Sequence, residues 1–153
     1  MDTGTIDAEP QGHSEQLLST VRELESLFHH PTDSTTADQV SNLLDEHFIR
    51  VTPSGDVQDK SQALAVFLER WAEKVNCPWH LQDERLRRLS EAIYLYSYSL
   101  HMAGRVTRRS TIWSVTGDVM KALHHQGTLA AHDVDHSLAS AAKPASRADG
   151  ASR

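Results

Sequence analysis

An α+β fold is predicted by three features of this sequence: alternating strand patterns in the second half, turn signals between them, and helical apolar stripes in the first half. The strand patterns read IYLYSYSLHMA, RVTRRSTIWSV and VMKALHHQGT, between Ile93 and Thr128. Gly104 and the Thr116-Gly117-Asp118 triplet mark the two reversals. Tyr94, Tyr96 and Tyr98 alternate with Ile93, Leu95 and Ser97, a period of two that a helix would scatter around its surface.

Ahead of the strands, residues 1–13 are rich in Gly, Pro, Asp and Thr with no apolar period and read as a flexible leader. Ser14 is a candidate N-cap for a first helix whose Leu17, Val21, Leu24 and Phe28 form one stripe, ended by His29-His30-Pro31. A second helix is expected from Thr35, with Asp38 as the reciprocal capping residue and Val40, Leu43 and Leu44 turned inward. Phe48–Val51 then favours a short strand, Pro53–Asp56 a turn, and Val57 a brief return strand. Asp59 followed by Gln62 matches a capping box that opens a third helix, with Leu64, Phe67 and Trp71 on its buried side. Gln82–Ser90 stays open on local rules: its composition favours helix, yet it runs without a breaker into the tyrosine strand.

The 153 residues suffice for one domain, placed at 14–130, and residues 131–153 read as a disordered tail of small and polar residues. With 39% hydrophobic and 24% charged residues the composition is that of an ordinary folded protein. A net charge of -6 argues against general affinity for nucleic acid. The longest apolar run, Ala63–Leu68, is six residues against the roughly 20 a membrane span needs, so no membrane association is expected. The N-terminal segment lacks the pattern of a secretory signal, and the single Cys77 fits a reducing compartment, which together lead to a cytoplasmic expectation. Arg85, Arg87, Arg88, Arg105, Arg108 and Arg109 all fall in the sheet-forming half. They read either as solvated edge residues or, for one or two of them, as contacts to an anionic ligand.

The order helix, helix, short hairpin, helix, long antiparallel strands resembles the nuclear transport factor 2-like (SnoaL-like) superfamily. More narrowly, FIRVTPSGDVQDK, RRSTIWSV and HHQGT resemble small bacterial proteins of the domain-of-unknown-function 4440 type. The matching residues are Phe48, Ser54, Gly55, Arg109, Ser110, Trp113, His125, Gln126, Gly127 and Thr128, while Arg50 and Met120 depart from that pattern. The resemblance implies that Gln82–Ser90 is a strand. It also implies a cone-shaped fold, a strongly curved, mostly antiparallel sheet wrapped around three N-terminal helices, with a pocket at the open end and a homodimer formed through the sheet. Proteins of this shape include isomerases, cyclases, dehydratases and plain binding modules, so the fold does not choose among them.

If Gly117-Asp118 forms a two-residue loop, Arg109 pairs with Gln126, Thr111 with His124 and Trp113 with Ala122; if Ala103-Gly104 does likewise, Tyr98, Tyr96 and Tyr94 face Arg109, Thr111 and Trp113. One face then gathers Tyr96, Tyr98, Arg109, Trp113, His124 and Gln126 as candidate pocket residues. His125, on the other face with Leu95, Ile112 and Leu123, remains a candidate because the pocket face is open. The same aromatics also suit a core or a dimer interface. A small-molecule ligand is the expected partner. A cofactor-free isomerase, cyclase or lyase is the alternative, its base being His101, His124, His125 or an acid from outside the strands, since Asp118 sits in a turn. Neither a cofactor nor a metal is expected. Adjacent His124 and His125 point to opposite faces, and His132-Asp133-Val134-Asp135-His136 closes no cage. Cys77 has no evident base partner and reads as a small apolar filler.

Overall fold

The computed structural model describes residues 11–73 and 77–131; the expected leader up to residue 10, the expected tail from residue 132 and its histidine run lie outside them. Helix α1 (Gln11–Ser26) begins ahead of Ser14, which is therefore a helical residue and not its cap. The chain then tightens through Leu27–His30, with both His29 and His30 amides donating to the Ser26 carbonyl before Pro31. Val21, Glu25 and Phe28 share the buried side of this segment, so the stripe that docks α1 contains a carboxylate as well as apolar residues.

Helix α2 (Ala37–Leu43) is capped by Thr36, whose hydroxyl accepts from the Gln39 amide while Gln39 Oε1 accepts from the Thr36 amide. The cap lies one residue beyond the expected Thr35, because the Thr35 hydroxyl is taken by the Thr32 amide and side chain. Leu44 belongs to strand β1 (Leu44–Val51), which is longer than Phe48–Val51 and returns through β2 (Val57–Asp59). Helix α3 (Lys60–Ala72) has the Asp59–Gln62 capping box in full, with Ala63 and Phe67 buried and Leu64 and Trp71 packed against the core.

Four long strands complete the fold: β3 (Trp79–Arg88), β4 (Ile93–Met102), β5 (Arg105–Thr116) and β6 (Val119–Leu129). The six strands are ordered β2-β1-β6-β5-β4-β3, antiparallel throughout except for the β1–β6 pair. The sheet curls around the three helices as an α+β cone. The arginine-rich stretch from Gln82 is part of β3, as the resemblance implied: pairing from Trp79–Met102 to Arg88–Tyr94 outweighs its local helix preference. One extra residue is accommodated at Asp83, whose φ of 56° marks a bulge that bends the strand.

The β4–β5 hairpin turns at Ala103-Gly104, both at positive φ, and sets Tyr94, Tyr96 and Tyr98 opposite Trp113, Thr111 and Arg109. The β5–β6 hairpin turns at Gly117-Asp118 and pairs Trp113 with Ala122, but Leu123 is then an extra residue, so Ile112 faces His124. Beyond this bulge Thr111 pairs with His125 and Arg109 with Gly127, in place of the expected His124 and Gln126. A single inserted residue exchanges the two faces of the strand. His125 and Gly127 thus turn toward the helices, and Gln126 is exposed.

Phe28 lies in the centre of the core, stacked on Phe67 at 5.4 Å and on Trp113 at 6.1 Å between ring centroids. A second tie fastens α1 to β3 and β4, where Arg22 Nε reaches Glu84 Oε1 at 2.7 Å and Tyr96 Oη donates to the same oxygen at 2.6 Å. Because Trp113 is fully buried on a central strand, Trp113→Ala should cost about 3–5 kcal/mol of stability, read as a lowered urea midpoint. An unchanged midpoint would place the ring elsewhere.

Candidate functional site

Glu25 is a fully buried carboxylate, and four side chains from three strands converge on it. Oε1 accepts from Tyr98 Oη at 2.8 Å and from Thr111 Oγ1 at 2.7 Å, and lies 3.1 Å from His125 Nδ1. Oε2 accepts from Trp113 Nε1 at 3.2 Å. Tyr98 is on β4, Thr111 and Trp113 on β5, and His125 on β6, so the carboxylate is a hub between α1 and the middle of the sheet.

Counting donors decides where the protons are. Tyr98 and Thr111 each have one hydroxyl proton, and both are spent on Glu25. His29 Nε2, 2.9 Å from Tyr98 Oη, must then be the donor in that contact, which leaves His29 Nδ1 as a bare acceptor. By the same reasoning His125 carries its proton on Nδ1, shared between Thr111 Oγ1 at 2.7 Å and Glu25, and its Nε2 accepts from Arg109 Nη1 at 3.3 Å. Arg109 Nε donates to Thr107 Oγ1 at 3.0 Å.

Burial raises the Glu25 carboxyl, but the donors from His125, Thr111 and Tyr98 outweigh it and hold the group below the usual carboxylate range. Burial lowers His125 despite the pull of Glu25, and it lowers His29 well below the ordinary imidazole value, with Arg109, His125, Arg50 and Arg70 adding in the same direction. Both rings are therefore neutral at pH 7. Arg50, on β1 opposite His125, is pushed down to about 10 by burial and by Arg70 and Arg109. Its guanidinium donates to Gln58 Oε1 at 2.9 Å and lies 5.2 Å over the Phe67 ring.

A cavity of about 630 Å³ opens beside His29, between the segment that follows α1, the C-terminal turn of α3 and the tip of the β4–β5 hairpin. Its walls include His29, His30, Thr35, Arg70, Trp71 and Met102. Three of these residues hold a buried ring nitrogen with no hydrogen-bond partner: His29 Nδ1, His30 Nε2 and Trp71 Nε1. Polar nitrogens left unpaired in this way are uncommon in folded proteins. Among the described residues no three His, Cys, Asp or Glu side chains assemble as a metal site.

Solved structures share this architecture at low sequence identity. A nuclear transport factor 2-like protein from Cytophaga hutchinsonii aligns with a TM-score of 0.60 at 14% identity, over 76% of this chain and 98% of that one. The fold is nuclear transport factor 2-like. A protein described in the same way, of unknown function, from Pseudomonas aeruginosa aligns with a TM-score of 0.58 at 15% identity, over 77% and 98% of the two chains. A candidate dehydratase of that family from Streptomyces avermitilis aligns with a TM-score of 0.61 at 12% identity, over 77% and 99%. No family model matches the chain, and no curated protein matches it.

Within this nuclear transport factor 2-like cone the sequence-derived candidates divide. Tyr98, Trp113 and His125 meet at Glu25, and Arg109 reaches them through His125; all four are buried under the helices. Tyr96 is buried too but serves Glu84. His124 and Gln126 sit on the opposite face because of the Leu123 bulge, and none of the seven candidates lines the cavity. Three important residues were not among the candidates. Glu25 sits four residues after Val21 and three before Phe28, a spacing that already places it on the buried stripe; His29 and Arg70 stand one turn beyond buried Glu25 and Phe67, the only sequence signal they offer.

No helix among the described residues is long and apolar enough to cross a membrane. Acid should destabilise this cone. An unfolded histidine takes up a proton near pH ~6.5, whereas folded His29 and His125 accept one only at lower pH, so the unfolded state binds more protons as pH falls through that range. Glu25 acts in the same direction below its ordinary carboxylate value, where only the unfolded state is readily protonated. Urea midpoints should be level between about pH 7 and about pH 9 and fall between about pH 6.5 and about pH 5, with a shallower fall in His29→Phe. A flat profile would contradict neutral buried imidazoles.

Proposed function

We propose that this chain is a small-molecule-binding module whose guest enters the cavity at the open end of the cone. One observation carries the reading: a cavity of about 630 Å³, a volume typical of ligand sites, is lined by three residues, His29, His30 and Trp71, that each hold a buried, unpaired ring nitrogen. A guest would supply the missing hydrogen bonds, and the tightly bonded Glu25 cluster behind would keep His29 in place.

A cofactor-free isomerase, cyclase or lyase is the second reading, favoured by the hydrogen-bond chain from His29 Nε2 through Tyr98 to Glu25. That chain fixes the tautomer and leaves Nδ1 free to take a proton from a carbon beside a ligand carbonyl and return it to a neighbouring carbon. The name of the Streptomyces avermitilis neighbour is consistent with such chemistry. The narrower kinship with the domain-of-unknown-function 4440 type rests on the Arg109-Ser110, Trp113 and His125–Thr128 matches alone. A cytoplasmic site of action fits the single cysteine.

Native mass spectrometry after incubation with a metabolite panel tests both readings. A retained compound recovered unchanged, and retained more weakly by Met102→Trp, which narrows the cavity, is the expected result. Turnover abolished by His29→Phe would establish the enzyme instead, and no retention of any compound would sink the binding proposal.

We further propose a homodimer through the outer face of the sheet, where Leu95 pairs with Ile112 and Ser97 with Ser110, four half-buried residues that form a smooth row. Ile112→Arg should yield a monomer by light scattering with little change in melting temperature. A wild-type monomer would refute the pairing.

A further inference from the structure

The walls of the cavity also specify the chemistry of its guest. Arg70 forms no hydrogen bond or ion pair with any described residue, although it is half-buried and lines the cavity. Its neighbour Trp71 presents a buried Nε1–H without an acceptor. Both groups can only donate. His29 Nδ1 is the reverse case, an acceptor without a donor, since its Nε2 proton is committed to Tyr98.

Behind these groups the electrostatic balance is positive. Arg50 and Arg109 are each at most 5% exposed, and their charges act on one another and on Arg70. Their hydrogen bonds run to Gln58, Thr107 and His125, all neutral, and none of these contacts is a carboxylate. Among the described residues the one fully buried carboxylate, Glu25, is already surrounded by four donors. Three guanidinium groups therefore share a poorly solvated region with a single, fully engaged counter-charge, and bringing an anion to Arg70 lowers their mutual repulsion. Asp33 and Glu73 also line the cavity, but both are exposed at its rim, where water screens them.

Resting on the reading of this cavity as a ligand site, we propose that its guest is an organic anion, most simply a carboxylate, that also carries a hydroxyl or N–H group. The anionic group lies against Arg70 and the Trp71 Nε1–H, and the donor reaches His29 Nδ1. A guanidinium suits a planar carboxylate better than a compact cation would, because it offers paired donors.

Matched aromatic probes test this by calorimetry at fixed salt: naphthoate against naphthamide for the charge, and hydroxynaphthoate isomers against their methyl ethers for the donor. Naphthoate should bind at least about tenfold more tightly than naphthamide, the scale of one charge-assisted hydrogen bond. Arg70→Met should bring the two within about twofold of each other, Arg70→Lys should restore part of the gap, and Trp71→Phe should weaken naphthoate severalfold. At least one hydroxynaphthoate isomer should outbind its methyl ether, and this preference should vanish in His29→Phe. Melting curves of each variant check that the fold persists. Equal binding of naphthoate and naphthamide would overturn the anion assignment while leaving the cavity as a ligand site. Binding of neither probe would overturn both. A preference for naphthoate that survives Arg70→Met would show that the charge is read elsewhere, and would overturn the role given to Arg70.

Discussion

A single buried carboxylate constrains more of this structure than any other group. Stripping Glu25 of water without replacing its hydration would cost several kcal/mol, so the fold is viable only where enough donors meet it. They come from Tyr98, Thr111, Trp113 and His125, on three different strands, and each must be on the concave face at the right height. Helix position and strand register are thereby tied to one another. A shift of α1 along the sheet, or of β6 against β5, would leave a buried charge or a buried hydroxyl unpaired. Apolar packing of Phe28 on Phe67 and Trp113 tolerates small displacements; this set of directed bonds does not.

The cluster also organises what lies beyond it. Tyr98 passes the polarity of Glu25 to His29, fixing that ring in one tautomer at the inner wall of the cavity, while His125 does the same for Arg109 on the other side. The interior is thus saturated near the carboxylate, whereas toward the mouth His29, His30 and Trp71 keep unpaired nitrogens and Arg70 has no hydrogen-bond or ion-pair partner among the described residues. Unpaired buried groups of this kind are uncommon in folded proteins and contrast with the fully bonded surroundings of Glu25.

Reading the chain from its residues was most successful where a pattern is local. Strand alternation, the Asp59–Gln62 box and the turn at Ala103-Gly104 each depend on neighbours a few residues apart, and the tyrosines' partners on β5 followed directly from that turn. The β6 partners did not follow, because Leu123 is an added residue whose presence no periodicity announces. Counting outward from the turn at Gly117 therefore selected His124 and Gln126 in place of His125 and Gly127. Similarly, Gln82–Ser90 has the composition of a helix, and its part up to Arg88 becomes strand only because β4 offers it a ladder of partners on both sides of the Asp83 bulge.

Sequence alone determined the α+β class, the three helical stripes, the turns and the concentration of tyrosine, tryptophan, histidine and arginine in the sheet, since all of these are written in spacings shorter than a hairpin. Tertiary structure decided which of those side chains share a space. Glu25 and Thr111 stand 86 positions apart, and His29 and Tyr98 69; their meeting depends on sheet curvature, on a one-residue bulge and on the way α1 lies across the strands. Contacts of that kind are set by the balance of burial against hydrogen bonding over the whole domain, and no short stretch of chain contains the terms of that balance.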